Sequence, residues 1–231
     1  MRIHIYIIAS QAYLVVMPSH AAPPSAMQDR SHKTEGLLCD AAEDAMREGG
    51  LELCTIQEVA RRAGRSVGSV YRRYGDKDAL IAAVILRYLE RVRQSNEQGF
   101  ALLVERHPGL DSRLRTLLEL AVANQRREGR LARAFDEAAS QSGNPILTDA
   151  MQRLRQTLRT LALDMLDDCA AEIVHDNPRI AAGFAIDMMM GAISMATNEP
   201  GFELTDEALA RELHAMLLGY LRGPAASAPE R

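Results

Sequence analysis

The sequence predicts an all-α protein, on three observations. Aromatic residues make up only 4% of the 231 residues and tryptophan is absent, whereas strong helix formers such as alanine, leucine and arginine are plentiful. Apolar residues recur every three or four positions from Ser31 onward, which is the period of a helix with one buried face. No stretch shows the alternation of apolar and polar residues that marks a strand. With 47% hydrophobic residues the chain can bury a substantial core, and we expect about nine helices.

The first 27 residues differ from the rest and form a doubtful extension. One arginine precedes an apolar stretch from Ile3 to Met17, and a segment rich in proline, alanine and serine follows. This pattern partly matches a secretory signal peptide, with cleavage after Ala21, and it is short for a membrane span. Three interpretations stay open: a misassigned start codon with initiation at Met17 or Met27, a disordered native tail, or genuine export.

Four helices are predicted between residues 31 and 92. The first ends at the glycine pair 49–50, and the second runs from a capping box formed by Thr55 and Glu58 to about Arg62. A short third helix reaches about Tyr74, and a longer fourth helix carries one apolar stripe. Each of the last three begins after a residue whose side chain can cap it, in chain order Thr55, Ser66 and Asp76.

Longer helices are predicted between residues 95 and 222. Gly129 is expected to divide a helix that follows the turn at 107–109 from a short helix that ends near Ala139. Apolar residues from Leu147 to Ile173 then keep helical spacing and predict the longest helix. The last two helices and a tail that we expect to be disordered span residues 179–197, 205–222 and 223–231.

Charge is distributed unevenly along the chain. The net charge is −4, but residues 61–77 hold six basic residues against one acid, a local net of +5. Residues 95–223 hold 13 arginines and 19 acids, a net of −6. A basic patch beside an acidic body is typical of a DNA-reading head joined to a domain that does not bind DNA.

Residues 55–80 read TIQEVARRAGRSVGSVYRRYGDKDAL, and this pattern resembles the helix-turn-helix of the TetR family of transcriptional regulators. The resemblance covers residues 31–92 and implies a three-helix DNA-binding head. It also implies that residues 95–222 form a larger helical domain for effector binding and dimerisation. Arg65 departs from the pattern, because the family usually places an apolar residue there. Its side chain either extends out of the small core toward DNA or loosens the motif.

The resemblance also implies which residues contact DNA when the second motif helix enters the major groove. Gln57 and Val67 are the expected base readers, through adenine and a thymine methyl group respectively. Gly68 lets the sugar-phosphate backbone approach. Hydroxyl groups and cations are expected on phosphates, and two of the arginines on phosphate or guanine; these residues are Thr55, Ser69, Tyr71, Lys77, Arg72 and Arg73.

The body of the protein is expected to form a homodimer. Helix 179–197 is apolar nearly all round, so it has two faces to bury, one on its own subunit and one across a two-fold axis. Helix 205–222 supplies the companion surface. The alternative is a helix that is fully buried within one chain.

The effector itself is not encoded in a recognisable motif. The abundance of leucine, methionine and alanine favours a small apolar molecule. Five residues are candidates for a cavity among the central helices: Asn124, Gln125, Phe135, Met151 and Met188.

Motifs for catalysis, cofactors and metals are absent from the sequence. It contains no GxSxG, P-loop, HExxH or GxGxxG pattern, and its three cysteines lack zinc spacing. We therefore expect a non-enzymatic, cytoplasmic, homodimeric transcriptional regulator without a cofactor, most simply a repressor released from a pseudo-palindromic operator. The alternatives are an activator, a redox sensor that uses Cys39 and Cys54, and an exported all-helical interaction protein if residues 1–21 are a real signal peptide.

Overall fold

The all-α class is confirmed. The computed structural model describes residues 26–198 and 202–223, with side chains from Lys33 onward, and two strands nearer the amino terminus. Within these residues a 3-10 turn, Ala170–Glu172, lies between the sixth and seventh helices. The eight α-helices are α1 (Ala26–Leu53), α2 (Ile56–Arg62), α3 (Val67–Tyr74), α4 (Lys77–Arg106), α5 (Leu110–Ser142), α6 (Pro145–Asp167), α7 (Pro178–Asn198) and α8 (Asp206–Arg222).

The two strands were not predicted. β1 (Ile5–Ile7) and β2 (Leu14–Val16) pair antiparallel, with Ile5 opposite Val16. Both segments consist of β-branched, aromatic and aliphatic residues, which favour strands even where the apolar-polar alternation is missing. The other residues of 1–25, and the tail beyond Gly223, lie outside the described residues. The three interpretations of the extension and the expected disorder of the tail therefore stay predictions.

The three predicted caps start their helices where expected. Thr55 Oγ1 accepts a hydrogen bond from the Glu58 amide at 3.1 Å, and Ser66 Oγ accepts one from the Ser69 amide at 3.2 Å. The Asp76 carboxylate accepts one from the Ala79 amide at 2.7 Å. Each cap satisfies an amide that has no partner within its own helix.

The predicted break at Gly129 is wrong, because α5 runs through it without interruption. A glycine inside a helix costs about 1 kcal/mol relative to alanine, and residues on both sides of Gly129 are anchored in buried clusters. Their packing outweighs the local preference. The described residues therefore hold eight α-helices rather than nine.

The longest helix is α5, with 33 residues, and not the segment from Leu147 to Ile173. Helix α6 ends at Asp167, and the 3-10 turn takes the place of its last predicted turns. Cys169 and Ile173 remain buried although the backbone has left the α-helix. The apolar spacing therefore continued past the end of the helix and concealed it.

Two hydrophobic cores are present in the described part of the chain. The first joins α1, α2, α3 and the start of α4 to the carboxyl end of α5 and the start of α6. The second joins the remaining parts of α4, α5 and α6 to α7 and α8. The predicted domain limits at residues 92 and 95 fall inside the continuous helix α4 and remain a prediction.

Helix α7 has the length and apolarity of a membrane span, with a mean hydropathy of 1.5 over its most apolar window. Half of that window is buried against other helices of the same chain. Burial of this kind is typical of a core helix in a helical bundle, which passes the same test of length and composition.

Candidate nucleic-acid interface

Helices α2 and α3 form a compact helix-turn-helix. The turn between them contains Gly64, whose φ of 62° lies in the left-handed region that glycine adopts without strain. The predicted shared core is present: Ile56, Val59 and Val70 are buried. Tyr74 is half-buried and its hydroxyl lies 3.7 Å from the sulfur of Cys39 on α1. This packing fixes the orientation of α3 on the rest of the head.

One face of α3 is turned to solvent. Val67 is 36% exposed and Tyr71 is 48% exposed, whereas Val70 between them is fully buried. Gly68 lies on the same face, and a Cβ placed there would meet no atom within 4 Å. Arg72 is also exposed. The structure therefore brings four of the predicted DNA-contacting residues together on one side of a short helix.

The residues predicted on α2 and its start are placed differently. Gln57 is exposed, and Thr55 is exposed although its oxygen accepts the capping hydrogen bond. Ser69 is half-buried and its amide belongs to the cap of α3. The hydroxyl groups of Thr55 and Ser69 keep a hydrogen to donate, which a phosphate contact requires.

Lys77 and Arg73 point toward other parts of the protein. The Lys77 ammonium donates to the carbonyl oxygen of Leu51 at 3.4 Å, beside a pocket that α5 and α6 also line. The Arg73 guanidinium donates to the Glu35 carboxylate on α1 at 2.7 Å. For either side chain, a DNA contact requires a change of rotamer.

Part of the basic patch is neutralised within the head. Arg61 and Arg62 both donate to the Glu58 carboxylate, with bonds of 2.6 Å, and Arg62 also donates to Glu48 at 2.7 Å. These hydrogen bonds lower the pKa of Glu58 to about 2. Glu58 lies just outside the segment whose charge was counted, although its spacing of three and four from the arginines is the signal of helical ion pairs.

Only half of the predicted capping box forms, since the Glu58 carboxylate is engaged by arginines. The Thr55 amide, which the carboxylate would bind in a full box, donates to the Leu53 carbonyl oxygen at 2.9 Å instead. Arg65 is exposed and donates to the Gly64 carbonyl oxygen at 3.2 Å. Its side chain therefore lies outside the small core, where it adds a cation to the surface of the motif.

The cysteines of the head are buried thiols. Burial raises the pKa of Cys54 to about 11, and burial also raises the pKa of Cys39. Such thiols hold little of the reactive thiolate at neutral pH, which argues against a redox sensor. Within the described residues no group of His, Cys, Asp and Glu side chains could hold a metal ion.

The candidate effector residues divide into two groups. Asn124, Gln125, Phe135 and Met151 are buried, in agreement with a place among the central helices. Met188 is 44% exposed on α7, so its assignment to an internal cavity is wrong. Helix α7 is apolar on more sides than one chain covers, and Met188 lies on an uncovered side.

Comparisons with known proteins agree with this arrangement. Residues 38–84 match the family model described as bacterial regulatory proteins, tetR family, and residues 109–221 match the tetracyclin repressor-like C-terminal domain. The two matched regions together span more than half of the chain. No curated protein matches the sequence.

Solved structures share the fold at low sequence identity. A protein assigned as a TetR-family transcriptional regulator from Mesorhizobium loti MAFF303099 has a TM-score of 0.68 and 22% identity, over 83% of this chain and 96% of that one. A protein assigned as a transcriptional regulator from Pseudomonas aeruginosa PAO1 has a TM-score of 0.62 and 21% identity, over 84% and 92%. FadR from Bacillus subtilis, solved with stearoyl-CoA, has a TM-score of 0.58 and 14% identity, over 80% and 98%. With both family models matched in order, this chain belongs to the TetR family of regulatory proteins and has its helix-turn-helix fold.

Proposed function

We propose that the protein is a sequence-specific, ligand-responsive transcriptional repressor of the bacterial cytoplasm. The observation that carries this proposal is the exposed face of α3, where Val67, Gly68, Tyr71 and Arg72 lie together over a buried Val70. A short helix with this exposure and a local positive charge fits the major groove of DNA. The comparisons lend no support to the exported alternative.

A homodimer is the second part of the proposal. Helix α7 exposes a row of apolar side chains, each at least 44% exposed in the single chain: Ile180, Phe184, Met188 and Met195. Their spacing of four, four and seven residues places them on one helical face, and Met216 on α8 is 54% exposed. An apolar surface of this kind favours burial against a partner, and a two-fold axis would let the same surface cover itself.

The dimer would place two α3 helices in successive major grooves of a pseudo-palindromic operator, about 34 Å apart. A small effector bound in the body would favour another spacing of the two heads and so release the operator. A 100-fold difference in operator affinity corresponds to about 2.7 kcal/mol of coupling. The composition of the body favours an effector with a largely apolar surface.

Selection from a random pool of double-stranded DNA tests the first part. The full-length protein is incubated with the pool at moderate salt, and the bound fraction is sequenced. We expect a two-fold symmetric motif with half-sites about one helical turn apart. Binding that depends on salt but enriches no sequence would contradict a sequence-specific regulator.

Sedimentation of two matched variants tests the dimer. Phe184→Asp places a charge in the α7 row and is expected to give monomers. Ile146→Asp changes another exposed apolar residue, 61% exposed on α6, and is expected to leave the dimer intact. A dimer that persists in Phe184→Asp would place the interface elsewhere.

A further inference from the structure

Helices α4 and α5 carry a set of fully buried polar side chains. Ser95 and Asn96 on α4 and Asn124 on α5 have no exposed surface, and Gln125 is 2% exposed. Each retains at least one polar atom without a hydrogen-bond partner in the structure, and the Gln125 amide has neither its nitrogen nor its oxygen paired. Unpaired buried polar atoms are rare in proteins because each one lowers the stability of the fold.

The register of the two helices brings these residues to the same level. The rings of Tyr88 on α4 and Phe135 on α5 are in contact, with centroids 5.0 Å apart. The helices run in opposite directions, so eight residues further along α4 lies Asn96, and eight residues back along α5 lies Arg127. Asn124 and Gln125 are within one helical turn of that level. The amides therefore form one polar layer between the helices.

Gly129 provides room for one of these amides. A Cβ at Gly129 would lie 3.2 Å from the Gln125 amide nitrogen, which is closer than ordinary packing allows. The glycine that fails to end α5 thus has a local consequence, because any larger residue would press on the Gln125 side chain. This second observation separates the polar layer from an accidental cluster.

A chain of charged contacts leads from the layer to the DNA-binding head. Arg127 donates to the Asn124 side-chain oxygen at 2.7 Å and to buried Glu128 at 3.3 Å. Glu128 accepts two hydrogen bonds from Arg47 on α1, at 3.0 and 3.2 Å. Since α1 packs on the helix-turn-helix, a change at Asn124 has a contiguous route to the head.

We propose that Asn96, Asn124 and Gln125 recognise the polar group of the effector. Amide side chains supply both donors and acceptors, so the ligand class is a small, largely apolar molecule with an uncharged group that both donates and accepts hydrogen bonds, such as a primary amide. The contacts through Arg127, Glu128 and Arg47 transmit binding to α1. This inference rests on the proposed function, since it names the ligand of the regulator.

Thermal unfolding of the ligand-free, full-length protein is the first test. Gln125→Met keeps the length of the side chain and removes two unpaired atoms, so the melting temperature is expected to rise by about 2–4 °C. Gln98→Met, at an exposed glutamine of α4, is the control and should change it little. A fall in the melting temperature of Gln125→Met would show that the amide is part of the folded core and would overturn the proposal.

Binding of a defined probe is the second test. Hexanamide is expected to raise the melting temperature of the wild type in a concentration-dependent way, more than methyl hexanoate, which accepts hydrogen bonds but does not donate them. Gln125→Met should weaken hexanamide binding roughly tenfold or more, whereas Gln98→Met should not. No binding of hexanamide, or equal binding of both probes, would refute the ligand class.

The same variants separate this inference from the proposed function. If Gln125→Met and the wild type select the same symmetric DNA motif, the regulator is established whatever the probes show. If neither selects a motif, the proposed function fails independently of the amides. For the route to the head, the double variant Arg47→Met/Glu128→Leu removes both buried charges together; it should bind hexanamide and no longer release DNA. Release equal to the wild type would refute the route.

Discussion

Lys77→Ala tests the charge that the TetR resemblance places on a phosphate. The Lys77 ammonium holds only a 3.4 Å hydrogen bond to the Leu51 carbonyl oxygen, so little is lost when it turns toward DNA. The loss of one phosphate contact lowers the slope of log affinity against log salt by about 0.9. Over a fourfold rise in salt, the affinity of the variant should therefore fall about 3.5-fold less than that of the wild type.

The assay is a salt titration of binding to the selected operator, with Arg61→Ala as the matched control. The Arg61 guanidinium is held by Glu58 through bonds of 2.8 and 2.6 Å, so its removal should change the salt slope less. All operator sequences should weaken alike in Lys77→Ala. An unchanged slope, or a changed sequence preference, would refute the assignment of Lys77 to a phosphate.

Three further predictions concern the head. Gln57→Ala should relax the preference at one adenine by about 1–3 kcal/mol in a repeated DNA selection, and an unaltered motif would exclude Gln57 as a base reader. Val70→Ala, at a fully buried site, should lower the free energy of unfolding by about 2 kcal/mol in urea, whereas Ile146→Ala on the surface should change it by less than about 0.5 kcal/mol. Glu58 has its pKa lowered to about 2, so its ion pairs stabilise the fold above its ordinary pKa near 4.5 and lose that contribution as the pH falls. The difference in stability between wild type and Glu58→Gln should therefore shrink from pH 4.5 to pH 2; a constant difference would contradict the ion-pair explanation.

Local signals in the sequence predicted the head well. The caps at Thr55, Ser66 and Asp76 and the buried side chain of Val70 follow from residues only a few positions apart, so short-range patterns contain the necessary information. The family resemblance added the expectation of a DNA-reading face on α3. Whether its residues contact bases or phosphates stays a prediction.

Long-range contacts account for what the sequence did not show. The pairing of Arg73 with Glu35 joins residues 38 positions apart, and no spacing rule predicts it. Gly129 reads locally as a helix breaker, but its place in α5 is set by packing on both sides. The unpaired amides at Asn124 and Gln125 are also visible only once burial is known.

The first core has a consequence for the exchange of heads between relatives. Leu131 and Phe135 of α5 and Met151 of α6 are part of the same buried cluster as the helix-turn-helix, although they lie far along the chain from it. A chimaera that takes only the amino-terminal segment from another regulator would join two halves of a core with different shapes. Recombination within such a family would therefore succeed most readily when the ends of α5 and α6 are inherited together with the head.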